Sequence, residues 1–131
     1  MYGLNRDEKL RDEIIFGKHE PDKYLGGIRR FEGLKISQLF DLFCNHFITW
    51  DERHNAAPDL REIVGYIAEH PGYGMSGYAV AAQRDDYRVS IDGLEKEGVA
   101  ITKQEQEDFK KLFGAADDFE ASSRRLYAWY D

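Results

Sequence analysis

Midway along the chain the spacing of apolar residues changes period, and this limits the fold more than any other feature. Ile36, Leu39, Phe40, Phe43 and Phe47 recur at helical spacing, as do Leu60, Ile63, Val64, Ile67 and Ala68. Pro58 falls where a first helical turn tolerates it, and His70, Pro71 and Gly72 end the second stripe. Beyond residue 86 the rule is different. Tyr87, Val89 and Ile91 alternate with Arg88, Ser90 and Asp92, the mark of a half-buried strand. Helical periodicity followed by strand periodicity predicts segregated helices and sheet, the α+β class.

The flanking segments extend this reading. Asn5 and Glu8 have capping-box spacing, Leu10 and Ile14 lie one helical turn apart, and Gly17 is a stop. Residues 18–33 contain Pro21, Gly26, Gly27 and Gly33 and read as a loop, with a short extended piece at 28–31. Residues 78–81 are apolar, and a turn at 83–86 lets them pair with 87–92 as a hairpin. Thr102 and Glu105 repeat the capping spacing, and Phe109, Leu112 and Phe113 give a short helix its buried face before Gly114. Residues 117–121 and 125–130 are expected to pair across Ser122 and Ser123. The expected order is ααα-ββ-α-ββ: N-terminal helices, then an antiparallel sheet of two hairpins with one intervening helix. A length of 131 residues suits a single domain over 1–131. Residues 1–35 are expected to be a loosely attached helix and loop.

Charge is the second constraint. The net charge is -7. Residues 1–50 carry eight bases and eight acids, so the imbalance lies wholly in 51–131. Such a balance argues against direct binding of nucleic acid or anionic lipid. No apolar run approaches a membrane span, and no apolar stretch follows the charges at the start. The single cysteine, Cys44, excludes an internal disulfide, and a cytoplasmic setting is expected.

No motif brings chemistry with it. Residues 72–77 match G-x-G-x-x-G, but a helix enters and a strand leaves, the reverse of what a dinucleotide fingerprint requires, so a plain turn is expected. Cys44, His46, Asp51 and His54 are the one crowded set of metal-ligand types, without a recurring metal spacing. Cys44 lies amid Leu42, Phe43 and Phe47, where a buried, inert thiol is expected. No catalytic residue, metal or cofactor is expected. In the tail, Leu126, Ala128 and Tyr130 share one strand face and Tyr127 and Trp129 the other, with a core role the expected one.

Residues 77–80, the run 84–95, the segment 116–120 and the closing 126–131 resemble stretches of uncharacterised small acidic proteins of gut bacteria and their mobile elements. The likeness spans about residues 36–131 and brings no activity or catalytic residues with it. It implies an accessory or anti-defence role.

The leading expectation is a non-enzymatic interaction protein, an inhibitor or nucleic-acid mimic of the anti-defence or immunity type. Its contact surface is assigned to Asp85, Asp86, Asp92, Glu95 and Glu97 around the hairpin and to Glu105, Glu107 and Asp108 on the next helix. The partner is then the basic surface of a nucleic-acid-binding protein or toxin. The alternative is a small enzyme or small-ligand binder. Its site lies near Trp50 to His54 and Gly72 to Gly77, with His46, His54 and Tyr73 at a concave pocket.

Overall fold

The computed structural model of the chain describes residues 3–98 and 100–131. Its elements are α1 (Glu8–Phe16), β1 (Ile28–Leu34), α2 (Ile36–Cys44), α3 (Leu60–Glu69), β2 (Gly74–Val80), β3 (Val89–Glu97), α4 (Lys103–Phe113), β4 (Asp118–Ala121) and β5 (Arg125–Trp129). The class is α+β. The five strands form one antiparallel sheet in the order β1-β2-β3-β5-β4.

The expected order ααα-ββ-α-ββ is therefore corrected: a strand stands between the first two helices. β1 escaped the periodicity argument because its register shifts between Phe31 and Leu34, with Gly33 at φ +67°. The extra residue puts Phe31 and Leu34, three apart, on the same buried face, so no alternation is legible.

Local signals fix most helix ends. Asp59 and Glu62 cap each other's backbone N–H groups at the start of α3. At α1 the cap is Asp7 rather than Asn5, because the Glu8 carboxylate is drawn away to accept from the Ala82 N–H. Gly17, at φ +86°, closes that helix with a bond from its N–H to the Glu13 carbonyl. α2 stops at Cys44, short of the stripe's end. His46 turns left-handed at φ +65°, which returns Phe47 to the core beyond the helix.

One core lies between the helices and one face of the sheet. Leu39, Leu42, Leu60, Ile63, Ile67, Phe109 and Phe113 meet Phe31, Met75, Ala79, Ile91, Leu94, Leu126 and Ala128 there. Residues 8–34 supply Ile15, Phe31 and Leu34 to the same core. Phe109 stacks between Tyr73 and Phe119, with centroids at 5.9 and 5.6 Å.

Thr102 caps α4 at Glu105 N, but the Glu105 side chain turns inward. It accepts from Tyr73 Oη at 2.7 Å and from Lys96 Nζ at 3.0 Å. Burial pushes this carboxyl up, but the bonds from Tyr73 and Lys96 and the Lys96 charge outweigh it, leaving it below its ordinary 4.5. A lowered folded value means stability present above pH 4.5 and lost as pH falls through that lowered value. The urea midpoint of Glu105→Gln is therefore expected to fall less between pH 7 and pH 3 than that of the parent. An equal fall in both would show that the pair contributes nothing.

Candidate functional site

Among the described residues the other face of the sheet carries no helix, and a β-bulge shapes it. Ser76 pairs with Gly93 and Gly77 with Ile91, so Asp92 is the unpaired extra residue of β3. Gly77 lies so close that a Cβ there would sit 1.7 Å from the Ser90 carbonyl oxygen and 3.2 Å from Asp92 Oδ2. Gly93 plays the same part beside Trp129, 2.7 Å from a would-be Cβ.

β5 pairs with β3 only from Gly93 onward, leaving the β3 backbone open at Ile91. The connection between α2 and α3 fills that gap. His54 Nδ1 accepts from the Ile91 N–H at 3.0 Å. Asn55, left-handed at φ +55°, donates from Nδ2 to Asp92 Oδ1 and to the Tyr130 carbonyl, each at 3.0 Å.

These elements enclose a pocket of about 510 Å³. Asp92 and Ser90 lie on it from β3, Tyr78 and Val80 from β2, and Trp129, Tyr130 and Asp131 from the tail; Ile28, Arg53, His54, Asn55 and Arg88 complete it. Asp92 is only 4% exposed. Its Oδ2 accepts from Ser90 Oγ at 2.6 Å. Among the described residues no Lys, Arg or His nitrogen lies within 4.0 Å of its carboxylate. Burial pushes its carboxyl above the ordinary value, while the Ser90 bond and the nearby His54, Arg88 and Arg30 pull the other way. Trp129 is held by Tyr78 edge-on at 5.9 Å, by the Arg30 guanidinium 4.4 Å above its ring, and by a 2.7 Å bond from Nε1 to Asp131.

Ser90 donates directly to a carboxylate, with no imidazole between them to take its proton. His54 Nδ1 is occupied as an acceptor from the Ile91 N–H, and Nε2 lies 3.4 Å from Glu52 Oε1.

The eight acids assigned to a contact surface do not form one face. Asp86 binds Arg84 at 2.7 Å and Arg88 at 3.2 Å. Glu95 and Glu97 lie on the open face with Arg125, at 2.5 and 3.8 Å. Glu105 is tied to Lys96 on the core side, and Asp108 lies 3.5 Å from His70. Asp92 is the pocket's buried carboxylate. Asp85 and Glu107 are exposed and in no ion pair among the described residues.

The other candidates also land apart. Cys44 is exposed, not buried, because α2 ends there. His46 and Asp51 are exposed, whereas His54 faces the sheet. Among the described residues the one compact group of metal-ligand types is Glu8, Asp12 and His19. His19 turns opposite ring nitrogens to the two acids, Nδ1 to Asp12 at 2.9 Å and Nε2 to Glu8 at 3.5 Å. The G-x-G-x-x-G stretch is mostly strand β2 rather than a turn. Gly72, Tyr73 and Gly74 border a separate apolar groove of about 700 Å³ with Ile36, Phe40 and Val64. Tyr73 is thus remote from His54's pocket. Asn55 had no signal of its own in the sequence; its role depends on a left-handed backbone.

Compared with models of known protein families, with curated proteins and with solved structures, the chain shows no significant match.

Proposed function

We propose that this chain binds a small polar molecule in the pocket on the open face of its sheet, with Asp92 as the anchor. One observation carries the reading: a buried carboxylate lies on a pocket with two neutral donors and no paired cation. A buried carboxylate without a direct ion pair costs stability, and carboxylates of this kind cluster at binding sites. No helix among the described residues is long and apolar enough to cross a membrane.

Asp92→Asn tests this. A raised folded value means that the carboxyl favours the folded state below the ordinary 3.8 and that this contribution is lost as pH rises through the raised value. At neutral pH the charge is therefore a burden, and its removal is expected to leave stability within about 1 kcal/mol of the parent, or higher. A thermal-shift panel of nucleosides, amino acids and amines is expected to stabilise the parent and not the variant. A variant that loses several degrees, with no compound distinguishing it from the parent, would make Asp92 a structural group.

A second reading, capture of a basic partner, keeps the exposed and unpaired Asp85 and Glu107 in its favour. It requires capture that weakens with salt and with Asp85→Asn or Glu107→Gln.

A further inference from the structure

Resting on the small-molecule reading, we propose that the occupant is a planar heterocycle whose edge presents two adjacent N–H donors, as guanine does.

The hydrogen-bond inventory sets the first half of this. Asp92 Oδ1 accepts from Asn55 and Oδ2 from Ser90, so each oxygen keeps acceptor capacity and neither can donate when ionised. The complement of two parallel acceptor oxygens is two parallel N–H groups, the geometry that makes fork-to-carboxylate contacts strong.

The surroundings set the second half. Arg53 and Arg88 line the pocket beside Asp92 and Asp131, and Arg53, Arg88 and Arg30 are met by Glu62, Asp86 and Glu32, so charge does not choose among donors. The walls favour a flat ring. Trp129 and Tyr78 stand edge to face at an interplanar angle of 78°, giving aromatic surface beside the acceptor pair.

Four probes separate the classes by isothermal titration: guanosine, with ring N–H and exocyclic amine together; inosine, with the ring N–H alone; adenosine, with an acceptor where guanosine has its ring N–H; and agmatine, a planar guanidinium head on a chain that ends in an ammonium. Guanosine is expected to bind most tightly, with inosine about tenfold weaker and adenosine weaker again, since each lost bond to a charged acceptor has about that effect. Asp92→Asn is expected to remove at least about tenfold of guanosine affinity and to level the series.

Equal binding of guanosine and adenosine overturns the proposal, as does guanosine binding that survives Asp92→Asn. Agmatine binding best, in an Asp92-dependent manner, overturns the heterocycle class while leaving the small-molecule reading standing. Silence from all four probes also overturns the class. The small-molecule reading falls with it only when the thermal-shift panel is blank too.

Discussion

Arg11→Ala is expected to lower the free energy of unfolding by about 3–5 kcal/mol, a large share of what a domain of this size has. Arg11 is fully buried beside fully buried Asp12. Its guanidinium donates to the Val80 carbonyl at 2.6 Å, to Asp12 Oδ1 at 3.0 and 3.1 Å, and to Tyr24 Oη at 2.7 Å. Burial pushes the Tyr24 phenol up, so it stays protonated and donates to Asp12 at 2.8 Å. Truncation leaves buried Asp12 with only Tyr24 and His19 as side-chain partners among the described residues, and the Val80 carbonyl without this donor. Replacing both charges, as Arg11→Met with Asp12→Asn, is expected to return much of the loss. Urea unfolding followed by circular dichroism reads both. A single variant within 1 kcal/mol of the parent would mean that water or rearrangement serves Asp12 as well as Arg11 does.

Gly77→Ala is expected to lose about 3 kcal/mol or more. The new Cβ would lie 1.7 Å from the Ser90 oxygen and 2.8 Å from its carbonyl carbon, both backbone atoms that cannot turn aside. β2 and β3 must separate or shift, and the bulge that presents Asp92 goes with them. Gly65→Ala is the control. It lies in α3 with no atom within 4 Å of the added Cβ, and is expected to gain about 0.5–1 kcal/mol. A Gly77→Ala protein as stable as the parent, binding the same compounds, would remove the close approach from the account of the site.

What was legible in the sequence follows from which forces are local. α3 and α4 read clearly because an apolar stripe and a side-chain cap both lie within the segment that they define. The β4–β5 hairpin read for the same reason, with Ser122 serving the turn through its own hydroxyl. β1 read only in its first half, as the extended piece at 28–31, since a bulge and Gly33 scramble its alternation. β2 was shortened because Gly74, Ser76 and Gly77 hide a strand whose neighbours make it one.

The site followed the same division. Asp92 and His54 were both singled out, but for separate roles: one as an outward acid, the other as part of a loop. Only the tertiary gap beside Ile91, where β5 ends and the 50–58 connection arrives, brings them to one pocket. The acids around them read as a single charged face because sequence counts charge without direction. Alternation along β3 sends Glu95 outward and Lys96 inward, so neighbours in the chain serve opposite sides of the sheet.

The sheet order also governs how the chain behaves in company. The inner strands β2, β3 and β5 have a neighbour on each side, and the outermost positions go to β1 and β4. β4 is four residues long and exposes Asp118 and Glu120; β1 is broken by its bulge and exposes Arg30 and Glu32. Short, kinked and charged borders are poor templates for a further strand. Once both borders have docked, the sheet has no side from which a polymer can grow; the vulnerable interval is before that, while β2 and β3 still have open flanks.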